Sequence, residues 1–393
     1  MYLILAINFS FLAILLSKLP YKNINLYISY LFFFICPILT YYKVLGVLTG
    51  FNSIYTNSIY FGLSFYTVNI AYHLLKSSEL IKSHPLDFFL SIINPLYLFT
   101  GPFPNKIRNT FVNFNFKILK KRVEYIHTEF ILGVFFAGIL APSLKPLLSL
   151  KESYEILDIL FFGIIYELYV YFNFAGFSMI MWFFMRLFGI NVQKNFNQPF
   201  SANSIVEYWR RWHITFSNIL KVLFFNKLKV KIGLFKTTFI IFLASAVWHG
   251  ISINFLIWGL VHSFFWCISH YFYKNNFKIL NYFLLFFGVI FGRIIFSEIN
   301  INILFTKIKI IFNISQWSFN CMNNIDIYKL GYINSFNILI AFFLIFLEMF
   351  VPIYFKSSKY YNYLKTPIVS TLILLYICLF FVGFNDKPIY GGR

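Results

Sequence analysis

The chain has 393 residues, of which 60% are hydrophobic and 12% are charged, and its mean hydropathy is +0.73. This composition excludes a soluble globular protein and predicts a polytopic membrane protein. The net charge is +20, but the basic residues lie in short connections between apolar runs, which favours the positive-inside rule over nucleic-acid binding. The four cysteines are scattered and lie mostly in apolar runs, so no disulfide framework and no zinc site is predicted.

The first third of the chain predicts three membrane helices and one shorter segment. The helices are predicted over Tyr2–Leu16, Asn25–Tyr42 and Ile54–Leu75. The third contains the small-residue sequence GLSFYT, which allows close helix packing, and it carries His73 near its end, where we expect the membrane interface. Leu86–Thr100 is too short for a full crossing and is broken by Pro95, so we expect a re-entrant or kinked segment.

The middle of the chain predicts two further spans, Thr128–Leu148 and Ile156–Phe188. Glu167 and Asn173 lie inside the second span, where polar side chains are costly in lipid, so both are expected to face a protein interior or a cavity. For Glu167, an ion pair with an arginine of a neighbouring helix and a direct functional role remain alternatives. Two basic connections, residues 106–122 and 227–236, are expected in the cytoplasm.

A half-polar helix is predicted over Ser204–Ser217, which reads SIVEYWRRWHITFS. Ser204 followed three residues later by Glu207 is a capping-box pattern, which predicts the helix start. On a continuous helix Glu207 and Arg211 lie four residues apart and can pair, while Trp209 and His213 lie on one face. Charged and aromatic residues in this mixture are not tolerated by a helix exposed to lipid.

The last part of the chain predicts two histidine-bearing apolar runs and four more spans. The run Thr237–Gly250 ends in WHG at His249, and the run Phe255–Tyr273 carries His262. The remaining spans are predicted at Leu280–Phe296, Ile301–Ile314, Phe336–Phe355 and Val369–Phe384. In total we expect about ten to twelve membrane segments. No repeat or soluble insertion is visible, so residues 1–393 are predicted to form a single integral-membrane domain.

Five motifs, in this order and spacing, resemble the membrane-bound O-acyltransferase family. They are FNFAGFS, NFNQPF, SIVEYWRRWHITFS, WHG and INFLIWGLVH, and the motif-bearing core extends over about residues 62–270. The similar branch is that of the proteins of alginate O-acetylation and of D-alanyl transfer to teichoic acids. The resemblance implies an all-α ring of tilted transmembrane helices, with re-entrant helices, around a central passage in the bacterial cytoplasmic (inner) membrane.

The resemblance also implies the site. His249 matches the essential histidine of the family and His213 a second one, so both are candidate catalytic residues. A neutral imidazole suits a general base that takes a hydroxyl proton, and Asn254 or Trp258 could donate a hydrogen bond to the oxyanion. No nucleophile elbow is present, which favours direct transfer over a covalent acyl-enzyme. The candidate substrate-binding residues are Trp209, Arg210, Arg211, Trp212, Asn254 and Trp258.

Two classes of function follow. The first is an O-acyltransferase that moves an acetyl or D-alanyl group from a cytoplasmic thioester donor, acetyl-CoA or an acyl carrier protein, to a hydroxyl of a cell-envelope polysaccharide or teichoic acid. It would need no bound cofactor and no metal, and its partners would be the carrier protein inside and the polymer or a secreted acetyltransferase outside. The alternative is a transporter or channel, which should show paired halves with matching broken helices; no such symmetry is visible.

Overall fold

A computed structural model describes residues 2–18, 24–41, 53–76, 78–92, 100–103, 116–275, 277–317, 327–350 and 367–381. Within these ranges the secondary structure is helical and contains no strand, so the all-α prediction is confirmed there. The helices before the central segment are α1 Tyr2–Ser17, α2 Ile24–Tyr41, α3 Ser53–Lys76, α4 Ser78–Ser83, α5 Pro85–Ile92, α6 Phe116–Phe135, α7 Ala141–Leu144 and α8 Ile156–Leu187. Those that follow are α9 Ile205–Arg211, α10 Ile214–Leu220, α11 Asn226–Ile232, α12 Leu234–His249, α13 Ile253–Lys274, α14 Lys278–Ser297, α15 Ile301–Phe312, α16 Ile327–Phe350 and α17 Pro367–Phe380.

The predicted apolar runs coincide with helices to within a few residues at most of their ends. Five helical stretches of the described chain are long and apolar enough to cross a membrane: Lys117–Glu152, Ile156–Leu187, Ile253–Lys274, Lys278–Ser297 and Gly331–Phe350. Four shorter apolar helices accompany them, at Ile7–Ser17, Ile24–Ile35, Leu234–His249 and Ser370–Phe380. The count of ten to twelve spans and the re-entrant ring stay predictions, and most of the predicted break around Pro95 lies outside the described residues.

The span after the first basic connection is irregular because two prolines interrupt it. A π-helical turn, Phe136–Leu140, follows α6 and precedes Pro142, and a 3₁₀ turn, Lys145–Glu152, begins next to Pro146. Proline has no N–H to donate, so the helix changes its hydrogen-bond spacing on either side. The prediction of Thr128–Leu148 as a span with a proline-rich end therefore agrees with the structure.

The chain divides into two compact units. Unit 1 comprises residues 1–126, 181–195 and 213–252, and unit 2 comprises residues 127–180, 196–212 and 253–393. Unit 1 contains α1 to α5 together with α10, α11 and α12, and unit 2 contains α7, α9 and α13 to α17. The single-domain prediction stays a prediction.

The central segment differs from the sequence-based expectation. The predicted continuous helix Ser204–Ser217 is wrong, because α9 ends at Arg211 and α10 begins at Ile214. Trp212 has an extended backbone and His213 a left-handed one, with φ 44° and ψ 53°. The N–H of Ile214 donates to the Asn195 carbonyl at 2.8 Å instead of a helical partner. Trp209 and His213 consequently do not share one helix face.

Candidate functional site

The backbone of His213 is strained, and this strain marks it as a functional candidate. A non-glycine residue in the left-handed region costs on the order of 1–3 kcal/mol and is kept where the surroundings determine it. His213 precedes the first turn of α10 and is 5% exposed. The turn therefore places a buried imidazole at the junction of two short helices, where a continuous helix would have pointed it elsewhere.

Asn195 orients the His213 ring. The Asn195 Nδ2 group donates to the Thr100 carbonyl at 2.9 Å, which assigns Oδ1 as the acceptor facing His213 Nδ1 at 3.3 Å. The Thr215 hydroxyl donates to the same Oδ1, and the N–H of Phe103 donates to the Thr215 Oγ1 at 3.1 Å. Because Oδ1 can only accept, His213 carries its proton on Nδ1, and Nε2 is the basic nitrogen.

Aromatic rings connect His213 to the second candidate histidine within unit 1. The imidazole is stacked with Phe103, at a centroid distance of 6.2 Å, and with Phe216, at 5.0 Å. Phe216 contacts Trp248 at 4.2 Å, and Trp248 contacts His249 at 5.0 Å. We call His213, His249 and Asn195, with these rings around them, the histidine site.

His249 is the last residue of α12, where the chain turns at Gly250. Gly250 has φ 155°, and its N–H donates to the Ala246 and Val247 carbonyls, which closes the helix end. A positive φ of this kind favours glycine, because side-chain-bearing residues rarely adopt it. His249 is half-buried, so part of this side chain stays accessible at the end of the helix.

The electrostatics of the histidine site favour a neutral His213 imidazole. Burial lowers the pKa of His213 well below its ordinary value, and the positive charge of a protonated His249 lowers that pKa further. Desolvation disfavours the charged form of a histidine, as does a second cation nearby. A neutral ring can accept a proton, so the His213 imidazole has the chemical character that base catalysis requires.

Unit 2 holds the tryptophans predicted to bind substrate. Trp209 makes edge contacts with Trp258 at 5.8 Å and with His262 at 4.9 Å. Trp212 is 5% exposed and stacks on Tyr208 at 5.5 Å. We call Tyr208, Trp209, Trp212, Trp258 and His262 the tryptophan cluster.

A buried ion pair supports the tryptophan cluster. Glu167, 3% exposed, pairs with Arg293 and accepts a hydrogen bond from the Tyr208 hydroxyl at 2.5 Å. The guanidinium of Arg293 also lies 4.9 Å from the Trp212 ring centroid. The ion-pair reading of Glu167 is therefore confirmed, and the expectation that Glu167 faces a protein interior is also confirmed.

The two arginines of α9 differ in their surroundings. Arg211 pairs with Glu207, as the spacing of four residues predicts, and it donates to the Ser201 hydroxyl and to the Gln198 carbonyl at 3.3 Å. Arg210 is exposed. The capping box is confirmed in part, because the Ser204 hydroxyl accepts from the N–H of Glu207 at 3.2 Å, while the Glu207 carboxylate accepts from the N–H of Asn203 at 3.0 Å.

Asn254 contacts the end of α14. Its Nδ2 group donates to the Phe296 carbonyl at 3.1 Å and lies 3.5 Å from the Ile295 carbonyl. Trp258 is 3% exposed and contacts Phe296 at 5.6 Å. Donation of a hydrogen bond to the oxyanion by Asn254 or Trp258 stays a prediction. The Asn254 amide also has a structural role, because it binds the carbonyl at the end of α14.

Two residues at these sites were not singled out from the sequence. Asn195 lies in the NFNQPF motif, 18 residues before His213, and the spacing alone does not connect them. Arg293 lies 126 residues beyond Glu167. An arginine inside an apolar run is an observable signal, since a charge in such a run requires a partner.

Comparison with known proteins agrees with the motifs. The family model of membrane-bound O-acyltransferases matches residues 152–307, which include both candidate histidines, Glu167 and Arg293. The resemblance to this family is thereby confirmed for that part of the chain.

Three relatives illustrate the similarity. A teichoic acid D-alanyltransferase of Streptococcus thermophilus is 26% identical over 61% of this chain and 63% of its own length. A peptidoglycan O-acetyltransferase of Helicobacter pylori is 36% identical over 25% of this chain and 19% of its own. A probable alginate O-acetylase of Pseudomonas syringae is 28% identical over 40% of this chain and 32% of its own. The chain thus spans about a third of the length of the alginate O-acetylases that it matches.

Proposed function

We propose, on the premise that residues 152–307 match the membrane-bound O-acyltransferases, that this chain transfers an acyl group from a thioester to a hydroxyl of a cell-envelope polymer. The observation that carries the proposal is the histidine site, in which a buried and oriented imidazole is joined through aromatic contacts to a second imidazole at a helix end. Relatives named as O-acetylating and D-alanylating enzymes support an acetyl or D-alanyl group.

In the proposed reaction the acceptor hydroxyl attacks the thioester carbonyl directly. His249 takes the hydroxyl proton as the oxygen–carbon bond forms, the carbon–sulfur bond breaks, and the proton passes to the leaving thiolate. The products are an ester and a free thiol, so no net proton is released. His213, held through Nδ1 by Asn195, presents Nε2 as a second neutral acceptor that orients the reacting groups.

The donor is proposed to arrive from the cytoplasm near the two basic connections. Lys117, Lys120 and Lys121 begin α6, and Lys229, Lys231 and Lys236 lie on α11 and the start of α12, all of them exposed. Exposed ammonium groups attract an anionic thioester such as acetyl-CoA or an acidic carrier protein. Charge reversal of three of these lysines should weaken transfer in a salt-dependent way, and unchanged transfer at low salt would leave the lysines with a topological role alone.

Acyl transfer by His249 is tested on the full chain in membranes. We expect His249→Ala to lower envelope acylation by about 10²–10⁴, the usual contribution of a general base, at unchanged protein abundance. His270→Ala is the matched control, because His270 stacks on Trp266 in α13 outside the histidine site. Mass spectrometry of the acyl groups released by base, as acetate or D-alanine, identifies the transferred group and therefore the class of donor. Near-normal acylation with His249→Ala would refute the proposed base.

We further propose that the site is reached from both faces of the membrane, by the donor from the cytoplasm and by the acceptor from outside. Asn218 in α10 follows His213, and Ser252 follows His249 at the end of α12; both are half-buried. In a background where serine replaces the native cysteines, we expect an impermeant thiol reagent added outside to label Ser252→Cys and not Asn218→Cys. Labelling of both positions from the cytoplasm alone would place the acceptor inside the cell.

A further inference from the structure

Helix α3 carries two buried polar side chains that the proposed reaction does not use. Asn69 and His73 are both 0% exposed. Within the described part of the chain, none of their four side-chain nitrogen and oxygen atoms has a hydrogen-bond partner. Buried polar groups are normally hydrogen-bonded, and each unsatisfied one costs about 1–3 kcal/mol. The His73 side chain is therefore enclosed by protein, and its place at the depth of the membrane interface stays a prediction.

The two side chains belong to a row that begins at the histidine site. Phe65, Asn69 and His73 are four residues apart and lie on one face of α3. Phe65 contacts Trp248 at 5.8 Å and stacks on Phe103 at 5.3 Å. Both rings belong to the histidine site, and all these residues are in unit 1. Asn69 and His73 lie about 6 and about 12 Å farther along the helix axis.

The row ends in a positive charge. Lys76 is the last residue of α3 and is exposed, and its Nζ donates to the Tyr72 hydroxyl at 2.7 Å and lies 5.2 Å from the Tyr72 ring centroid. From Phe65 to Lys76 the helix rises about 16 Å. The row thus contains an aromatic end at the histidine site, two neutral hydrogen-bonding groups and a terminal ammonium group.

We propose that Asn69, His73 and Lys76 hold the phosphopantetheine arm of the thioester donor, an inference that rests on the proposed acyl transfer. Such an arm carries sulfur at one end, two neutral amides along its length and a phosphate at the other end. Its length is comparable to five extended residues, roughly 17 Å. The thioester lies toward the histidine site, the amides at Asn69 and His73, and the phosphate at Lys76. Neutral partners suit the buried part, because an unpaired buried charge is costly.

The test measures binding of two probes, pantetheine and 4′-phosphopantetheine, to the full chain in lipid nanodiscs by calorimetry. In the double variant Asn69→Leu/His73→Phe we expect both probes to bind at least about tenfold more weakly. The amides of the bound arm would then lose their hydrogen-bond partners at Asn69 and His73. Thr67→Val is the matched control, because Thr67 is buried on α3 and donates to the Ser64 carbonyl. Its probe affinity should be unchanged.

Lys76→Met separates the two ends of the row. It should weaken 4′-phosphopantetheine by about tenfold and leave pantetheine unchanged, because only the phosphate meets the ammonium group. If the double variant does not fold, the single variants serve: Asn69→Leu should weaken both probes, whereas His73→Gln, which keeps hydrogen-bonding capacity, should retain most of the affinity.

Three results would overturn the proposal: no pantetheine binding to the unaltered chain, equal binding by the double variant, or a change in stability with no change in probe affinity, which indicates buried water instead. Failure of the proposed function can be distinguished from failure of the proposed arm site. His249→Ala should bind both probes normally while losing transfer. If the unaltered chain binds the probes but transfers no acyl group, the proposed acyl transfer is refuted and the binding site for the arm is retained.

Discussion

The histidine site and the tryptophan cluster are both buried, yet they are held by opposite kinds of interaction. His213 is fixed by neutral hydrogen bonds through Asn195 and by a left-handed backbone. The tryptophan cluster is fixed by the Glu167–Arg293 ion pair with the Tyr208 hydroxyl. Neutral bonds leave an imidazole able to take up a proton, whereas a buried ion pair cannot lose one partner without leaving an unpaired charge. The first arrangement favours chemistry and the second favours rigidity.

The largest expected effect on stability comes from breaking the ion pair. Glu167→Leu leaves Arg293 as an unpaired buried charge and should lower the free energy of unfolding by about 3–5 kcal/mol, measured by denaturant titration in detergent. The control is the double variant Glu167→Leu/Arg293→Met, which removes both charges and should recover most of the loss. An unfolding midpoint unchanged in the single variant would contradict this account of the cluster.

The corresponding change in the histidine site should affect activity more than stability. Asn195→Ala removes the acceptor for His213 Nδ1 and should lower acyl transfer by about tenfold to a hundredfold, since a buried donor is left unsatisfied and the ring loses its orientation. Asn195→Asp keeps an acceptor and adds negative charge, which raises the pKa of His213. That variant should shift the acid limb of the pH–rate profile upward. A purely structural Asn195 would lower protein abundance and leave the profile in place.

The pattern of residues predicted the local features and missed the long-range ones. The Glu207–Arg211 pair and the Ser204 cap follow from spacing along one helix. The break at His213 does not, because it depends on a hydrogen bond from Ile214 to the distant carbonyl of Asn195. The partner of Glu167 could be specified only as an arginine, since several helices of a bundle could supply one. Local rules therefore placed His249 and His262 on the correct helices, but they placed His213 inside a helix where the chain turns instead.

The strained backbone provides a smaller test. Glycine adopts the left-handed region without a steric penalty, and other residues pay about 1–2 kcal/mol there. His213→Gly should accordingly be more stable than His213→Ala by about 1 kcal/mol, although both lack the imidazole. Thermal unfolding of the matched pair measures the difference. Equal stabilities would show that the backbone at this position relaxes when the ring is removed.

The pH dependence of stability should also report on His213. Its pKa is lowered by burial and by His249, so the unfolded chain binds a proton that the folded site does not. The contribution of the site is complete above the unfolded pKa of about 6.5 and is lost as the pH falls below that value. His213→Gln should therefore lose less stability than the unaltered protein between about pH 6.5 and pH 5. In this range the unfolded chain takes up the histidine proton, while the folded site, whose pKa is lowered, does not. An unchanged slope would mean that the proton is taken up elsewhere.

The smallest expected effect concerns the two arginines of α9, and it separates binding from structure. Arg211 bonds to Glu207, Ser201 and Gln198 within unit 2, whereas Arg210 is exposed. Arg211→Ala should lower the free energy of unfolding by about 1 kcal/mol, and Arg210→Ala should change it by less than about 0.5 kcal/mol, as for most surface substitutions. If Arg210 binds substrate, as the sequence analysis predicts, Arg210→Ala should raise KM at unchanged kcat, because it removes ground-state and transition-state binding equally. An Arg210→Ala variant with unchanged KM at low salt would remove Arg210 from the binding site, while Arg211 would keep its structural role in either case.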